Sequence, residues 1–325
     1  MKIFITGSTG FIGSYTVKRL ALKDHKLRCL ARKSSDTSIL KELGAEIITG
    51  DLTDRSSLQE GMKDCDWVIN IAGVYNFWLP DKRIYHDVNI TGTKNVMECA
   101  LEAGAAKVVH VSTGGIYGKP DDYPFSEESQ IGPVRFSEYF QTKYEGDLIA
   151  WKLHEKQGLP LVMIYPCAVL GAGDPKTSGQ YIKDLIYRRM PATVLHNSIL
   201  TWVHVKDVAE AIVRAAEKDN NIGEKYLIGK HQLSLKEINN LVSEISGVPL
   251  PKLSLPNFIV SLNARILTLV ADLIKKPPLW GMSVDQIRTM KEGFAVDGSK
   301  AERELDISYT PVRQALEEAI ASFKV

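Results

Sequence analysis

The run Lys2-Ile3-Phe4-Ile5-Thr6-Gly7-Ser8-Thr9-Gly10-Phe11-Ile12-Gly13 decides the fold. Its first five residues form a short apolar stretch of strand character, and from Phe11 to Leu22 the apolar positions recur at helical spacing. Between them lies a glycine turn in which each glycine has a separate task. Gly7 permits the tight turn, Gly10 lets the backbone approach a pyrophosphate, and Gly13 lets helix and strand pack closely. The helix that opens there offers unpaired N–H groups to an anion.

Outward from this junction the same alternation repeats. Leu27–Ala31, Glu46–Thr49, Trp67–Ile71, Lys107–Ser112 and Leu161–Tyr165 read as strands, and Ser38–Leu43, Ser56–Met62, Asn89–Ala103 and Tyr139–Gln157 as helices. Near-continuous apolar strands alternating with helices imply an α/β Rossmann-type, doubly wound parallel sheet covered on both faces. After Gly171 the pattern loosens. Helices are expected at Ser178–Arg188, Val205–Glu217, Ser234–Ser246, Asn257–Ile274, Ser283–Lys291 and Pro311–Phe323, with one strand near Lys225–Ile228. The expected division is a nucleotide-binding core over 1–170, with returns from 200–230, and a smaller, mostly helical substrate-binding part over 171–325. Phe258–Ile274 is the most hydrophobic stretch. Arg265 and Asp272 interrupt it and it is short for a membrane span, so a buried or lid helix is expected, with membrane-surface contact the lesser reading.

Composition narrows the function. Forty basic and 39 acidic residues in 325 leave a net charge of +1, too little positive charge for a nucleic-acid partner. Cys29, Cys65, Cys99 and Cys167 have neither metal-ligand nor disulfide spacing, so no metal is expected and the thiols read as buried in a reducing compartment. The apolar run before Gly7 is too short for a signal peptide, which makes a soluble cytoplasmic protein the expectation.

At the tip of the second strand, where an NAD-binding chain usually carries an acid, the sequence reads Ala31-Arg32-Lys33-Ser34-Ser35. A 2′-phosphate would meet a guanidinium there, which points to NADP, with NAD the alternative. Further along, Tyr139 and Lys143 stand four apart in a helical segment and share a face. A tyrosine with pKa about 10 is a poor acid–base catalyst near neutrality, and a neighbouring ammonium is expected to lower it.

The spacing Gly-x-x-Gly-x-x-Gly, with Gly50-Asp51-Leu52, Asn70-Ile71-Ala72-Gly73, Asn89 in a Val-Asn-x-x-Gly-Thr setting, and Tyr139-x-x-x-Lys143, resembles the extended short-chain dehydrogenase/reductase superfamily. The resemblance implies that Tyr139 is the proton donor and that Lys143 also holds the nicotinamide ribose. It aligns Thr113, in Val111-Ser112-Thr113-Gly114-Gly115-Ile116-Tyr117-Gly118, with the catalytic hydroxyl. Strand alternation lets only one of Ser112 and Thr113 face the site. Cofactor contacts are implied at Gly7, Thr9, Gly10, Phe11, Ile12 and Gly13, at Arg32, Asp51 and Leu52, and at Ile71, Ala72 and Gly73. Tyr165, Pro166 and Ala168 complete that set, with Tyr139 and Lys143. Asp51 and Asn89 each have a plainer reading as helix N-caps. A homodimer through Asn89–Ala103 and Tyr139–Gln157 is also implied.

Tyr165-Pro166-Cys167-Ala168-Val169-Leu170-Gly171 is similar to the Pro-x-x-Val-x-Gly pattern of the dihydroflavonol 4-reductase branch, and Arg189-Met190-Pro191 and Trp202-Val203-His204-Val205-Lys206-Asp207 agree. His204 is expected to be structural and Asp207 to cap the following helix. Aromatic candidates for a substrate pocket are Tyr75, Phe77, Trp78, Tyr117 and Trp202, with Phe136 and Trp280. The expected activity is NADPH-dependent reduction of a small carbonyl compound. A nucleotide-sugar epimerase or dehydratase is the alternative, and a non-catalytic redox sensor on the same fold is a remoter one. Leu200 stands where the sugar-nucleotide enzymes often carry a diphosphate-binding arginine, although Lys183, Arg188 and Arg189 lie on the preceding helical segment.

Overall fold

A computed structural model describes residues 1–323. Strands β1 (Lys2–Thr6), β2 (Lys26–Ala31), β3 (Glu46–Thr49), β4 (Trp67–Asn70), β5 (Lys107–Val111) and β6 (Leu161–Pro166) form a parallel sheet. A late strand, β9 (Lys225–Ile228), completes it in the order β3-β2-β1-β4-β5-β6-β9. Alternation along each strand supplies two cores. Ile3 and Ile5 of β1 face α1 (Phe11–Ala21) and α8 (Val205–Glu217) in one apolar cluster. Phe4, between them, faces the other cluster with Leu58 and Met62 of α3 (Arg55–Met62) and Val96 of α5 (Thr93–Glu102). Both sheet faces are therefore dry, as the apolar strands required.

The strand order reverses between β1 and β4, so a crevice opens beyond their carboxyl ends. Thr6 and Asn70 close those two strands, and the Thr6 hydroxyl donates to Asn70 Oδ1 at 2.5 Å. α2 (Ser38–Glu42) follows β2. A short turn, α4 (Arg83–Tyr85), leads into a π-helical turn, His86–Gly92, that runs on into α5. The segment expected as one helix from Asn89 thus begins wider than an α-helix, which places Asn89 where a regular turn would not.

A second sheet was not expected. β7 (Ala168–Leu170) pairs parallel with β8 (Ile199–His204), and β8 pairs antiparallel with β10 (His231–Ser234). These strands are short, and their partners lie some thirty residues away in sequence, so no local period marks them. Around this sheet stand α7 (Thr177–Ile186), α9 (Leu235–Ser246), α10 (Asn257–Ile274), α11 (Val284–Glu292), α12 (Ser299–Leu305) and α13 (Val312–Phe323). α10 departs from expectation. Only Val260, Ala264 and Ala271 are buried, and its bulkiest apolar side chains face outward.

Candidate active site

The glycine turn is built by close backbone approach. Gly7 has φ +72°, and a Cβ there would lie 2.6 Å from the Ala72 amide nitrogen, so the β1 and β4 turns touch only because Gly7 lacks one. A Cβ on Gly13 would fall 2.0 Å from the Gly7 carbonyl oxygen. The Gly10 N–H donates to Gly7 O at 2.9 Å, which closes the turn. α1 then starts at Phe11 with no side-chain cap and no acid in its first turn. The N–H groups of Phe11 and Ile12 and the positive helix end remain for an anion, so this cradle fits the pyrophosphate of a dinucleotide. Thr9 lies in the same turn, exposed.

Arg32 and Lys33 stand exposed at the tip of β2. The acid of that loop, Asp36, accepts from the Ser38 N–H at 2.9 Å and the Ser38 hydroxyl at 2.6 Å. It is occupied at the start of α2, which leaves Arg32 and Lys33 as the charges on offer. Asp51 accepts from the Thr53 N–H and hydroxyl at 3.1 and 3.0 Å, and the cap of α3 is Asp54. The plainer reading of Asp51 as a cap is thereby corrected: it shapes a turn, three residues before the cap of the helix. Leu52 is buried beneath Gly92, its carbonyl held by Asn95 at 3.0 Å.

Tyr139 and Lys143 lie on α6 (Glu138–Gln157), whose N-cap Ser137 accepts from the Phe140 N–H at 3.2 Å. Lys143 Nζ donates to the Val111 carbonyl at 2.9 Å, fixing it beside the end of β5. Alternation then separates the two hydroxyls that follow. Ser112 donates to Asp147 Oδ2 at 2.6 Å, while the Thr113 hydroxyl lies on the side of the Tyr139 phenol and accepts from the Gly115 N–H at 3.3 Å.

The expected lowering of the Tyr139 pKa is not found. Burial pushes the phenol well above its ordinary value, the Tyr75 and Asp147 charges add to the rise, and only the Thr113 hydroxyl opposes it. The ring is 8% exposed among Tyr75, Phe77 and Phe140, which leaves a phenolate little solvation. Burial also lowers the Lys143 pKa, with the Asp147 charge working against that shift.

Three residues beneath this pair had no site role assigned from the sequence. His110, wholly buried on β5, has Nδ1 3.0 Å from Asn70 Nδ2 and Nε2 3.4 Å from Asp147 Oδ1. With Thr6 they form a polar seam under the crevice, from β1 through β4 and β5 to α6. Asp147 had a readable signal, one further step of four beyond Tyr139 and Lys143. Asn70 opens the Asn70-Ile71-Ala72-Gly73 motif, though without a role of its own, and His110 had no signal, being a single polar residue in an apolar strand. Asn89, read as a motif residue or cap, caps nothing. Its Oδ1 accepts from the Val74 N–H at 2.8 Å, and its Nδ2 donates to Val74 O at 3.3 Å and Thr142 Oγ1 at 3.1 Å. It clamps the loop after β4 to α6. Gly73 lies in this clamp, where a Cβ would sit 3.4 Å from Asn89 Oδ1 and 4.0 Å from Lys143 Nζ.

The aromatic candidates divide. Tyr75 and Phe77 stand edge-on to Tyr139 at 5.2 and 6.2 Å between ring centres. Trp78, the next residue along the chain, is buried, its indole N–H donating to Asp272 Oδ1 at 2.9 Å. Tyr117 is elsewhere, stacked on Phe125 at 4.9 Å and edge-on to Tyr165 at 5.9 Å. Trp202 is buried on β8 with its N–H on the Leu233 carbonyl, Phe136 lines a shallow groove with Tyr123 and Phe294, and Trp280 donates to the Arg189 carbonyl. Pro166 ends β6 opposite Ile228, and Ala168 opens β7 opposite Trp202. His204 is structural as expected and takes the capping role itself: Nδ1 accepts from the Lys206 N–H at 2.9 Å. Asp207, expected to cap α8, instead accepts from the Thr310 N–H and hydroxyl at 2.7 and 2.8 Å.

Known proteins are similar to this chain in sequence and in fold. A "Putative dihydroflavonol 4-reductase" of Synechocystis sp. is 30% identical over 99% of this chain and 94% of its own. "Sterol demethylase protein B" of Methylococcus capsulatus is 29% identical over 100% of this chain and 98% of its own. The crystal structure of gox2253 superposes with a TM-score of 0.84 at 32% identity, covering 99% of this chain and 97% of that one. Such likenesses support a nicotinamide cofactor and an NAD(P)-dependent oxidoreductase or epimerase/dehydratase. Residues 3–229, which hold the glycine turn, Tyr139 and Lys143, match the NAD dependent epimerase/dehydratase family, and the chain belongs to it, as an extended short-chain dehydrogenase/reductase of dihydroflavonol-reductase-like type.

Proposed function

We propose that this chain is an NADPH-dependent reductase of apolar ketones or aldehydes. The observation that carries the reading is the setting of Tyr139: a buried phenol beside Thr113, walled by Tyr75 and Phe77, where burial favours its neutral form. A phenol held in that form suits proton donation to a nascent alkoxide, the reductive direction. NADPH, when bound, supplies the hydride. Thr113 holds the substrate oxygen and stabilises charge developing there. Lys143 holds the ribose and keeps a positive charge near the phenol, while Tyr75, Phe77 and Trp78 exclude water and receive apolar surface. Arg32 takes the 2′-phosphate.

The diphosphate of a sugar nucleotide has no comparable partner at β8. Leu200 is buried there opposite Leu233. Arg189 lies 3.6 Å from Asp184 and over the Tyr187 ring, and Lys183 over the Phe323 ring. The sterol-related name of one relative agrees with a lipophilic substrate. Free buried thiols at Cys29, Cys65, Cys99 and Cys167 suit the cytoplasm, and the outer faces of α5 and α6 are the surface through which two copies would pair. The test is a screen of aromatic, aliphatic and steroidal carbonyl compounds with NADPH, beside calorimetry with UDP- and dTDP-sugars. Reduction of the former and negligible binding of the latter at millimolar concentration are expected. Micromolar binding of a nucleotide sugar with 4-epimerised product would overturn the reading.

A further inference from the structure

The large apolar side chains of α10 form a single outward stripe. Phe258, Leu262, Ile266, Leu269 and Leu273 follow one another at steps of three or four, and their exposure runs from 51% at Ile266 to 83% at Leu273. Exposed Leu279 and Trp280 extend the same apolar character beyond the helix. A contiguous patch of this kind on a soluble fold marks a binding surface. Its charges are one-sided. Between residues 252 and 276 the cations are Lys252, Arg265, Lys275 and Lys276, all exposed, and the single acid is Asp272, turned inward onto the Trp78 indole.

We propose that α10 seats the enzyme on an anionic phospholipid bilayer, its apolar stripe in the acyl boundary and its cations among the phosphates. Helices that lie in the interface have this distribution. A second copy suits the surface poorly, because a twofold pairing brings the same face against itself and sets cations from both ends of the helix opposite cations. Nor is α10 arranged to cross a membrane, although it is long and apolar enough by composition. Val260, Ala264 and Ala271 are packed inward, and Thr268 Oγ1 accepts from the Val284 N–H at 2.9 Å at the start of α11. The helix is held along its length and would lie flat.

The placement joins the surface to the site. Asp272 holds Trp78, Ser283 just beyond α10 donates to the Phe77 carbonyl at 2.9 Å, and Phe77 stands against Tyr139. Asp272 of α10 and Ser283, the N-cap of α11, thus both reach the Phe77–Trp78 segment next to Tyr139. A lipophilic carbonyl compound dissolved in the bilayer would reach Tyr139 past Trp78. That substrate class rests on the reductase reading, whereas the docking does not.

Co-sedimentation of the full chain with vesicles separates the two. Wild type is expected to pellet with vesicles of equal parts phosphatidylcholine and phosphatidylglycerol, and less with phosphatidylcholine alone. Leu269→Glu/Leu273→Glu should weaken binding to both, and Lys275→Glu/Lys276→Glu should weaken binding to the anionic vesicles about tenfold or more. All these positions are exposed, so melting temperature and reduction of a water-soluble carbonyl should match wild type. Wild type remaining in the supernatant with both vesicles would overturn the docking, even with full reductase activity. A tight dimer dissociated by Leu269→Glu/Leu273→Glu would give the stripe to a second copy and also overturn it. Vesicle binding without reduction of any carbonyl would leave the docking standing and remove the reductase reading.

Discussion

Asp147 accepts a 2.6 Å hydrogen bond from Ser112, the residue before Thr113, and lies one helical turn beyond Lys143. One carboxylate therefore orients the end of β5, which presents the Thr113 hydroxyl, and favours the charged form of the lysine. Tyr139, Lys143 and Asp147 form a ladder along one face of α6, ordered from substrate to core.

Asp147→Asn keeps the Ser112 hydrogen bond within reach and removes the charge. Lys143, whose pKa burial already lowers, would lose the influence that raises it. The alkaline limb of the NADPH turnover profile should move down by about one pH unit or more. Thermal melting serves as the control, because a purely structural role would lower stability and leave the profile where it was.

Tyr139→Phe keeps the ring against Tyr75 and Phe77 and deletes the proton donor. Cofactor binding, read by fluorescence titration, should be close to wild type while turnover falls ~100-fold or more. Near-normal turnover would take Tyr139 out of the mechanism.

Arg32→Asp places a carboxylate where the 2′-phosphate is expected. Losing a charge-assisted pair costs on the order of 1.5–3 kcal/mol, so NADPH should bind at least about tenfold more weakly while NADH holds or improves. Equal affinities in variant and parent for both cofactors would assign the pair Arg32–Lys33 to the solvated surface.

His110 supplies a pH dependence of stability. Burial, and next the Lys143 charge, lower its pKa below the ordinary 6.5, with Asp147 opposing. Below pH 6.5 the unfolded chain takes up a proton that the folded chain does not, so this residue's contribution to stability is present above that pH and is lost as pH falls towards its folded value. The slope approaches ~1.4 kcal/mol per pH unit at most. Chemical denaturation of His110→Asn at pH 7 and pH 5.5 should show a smaller acid loss than wild type. An equal loss in both would place the titration elsewhere.

The parallel core was legible because Ile3, Ile5, Val108, Val109, Val162 and Ile164 announce buried strands by composition alone, and the glycine turn announces the first crossover. The second sheet was not, because β7 is three residues long and β10 carries His231 and Gln232. Such strands are defined by their partners. Trp202 was read as pocket wall because aromatic character does not say which face of a strand it is on. Asn89 was noticed for the wrong reason: its amide clamps Val74 to Thr142, a relation across fifty residues that spacing cannot display. The Tyr139 environment was misjudged in sign, because helical spacing brought Lys143 to mind while three rings from two segments set the solvation.

The edge of β6 that faces away from β5 is covered by β9, so Met163 to Pro166 find their partners on that side only in residues 224–228. Synthesis of the chain must therefore run past Ile228 before the nucleotide core can close, and the emerging first half carries an open strand edge until then. A fragment ending at Gly171 would hold the glycine turn, the seam and the Tyr139–Lys143 pair, yet lack α8 against α1 and the strand that seals β6. The two halves of this protein therefore share one sheet and one pair of apolar cores, and neither is complete without the other.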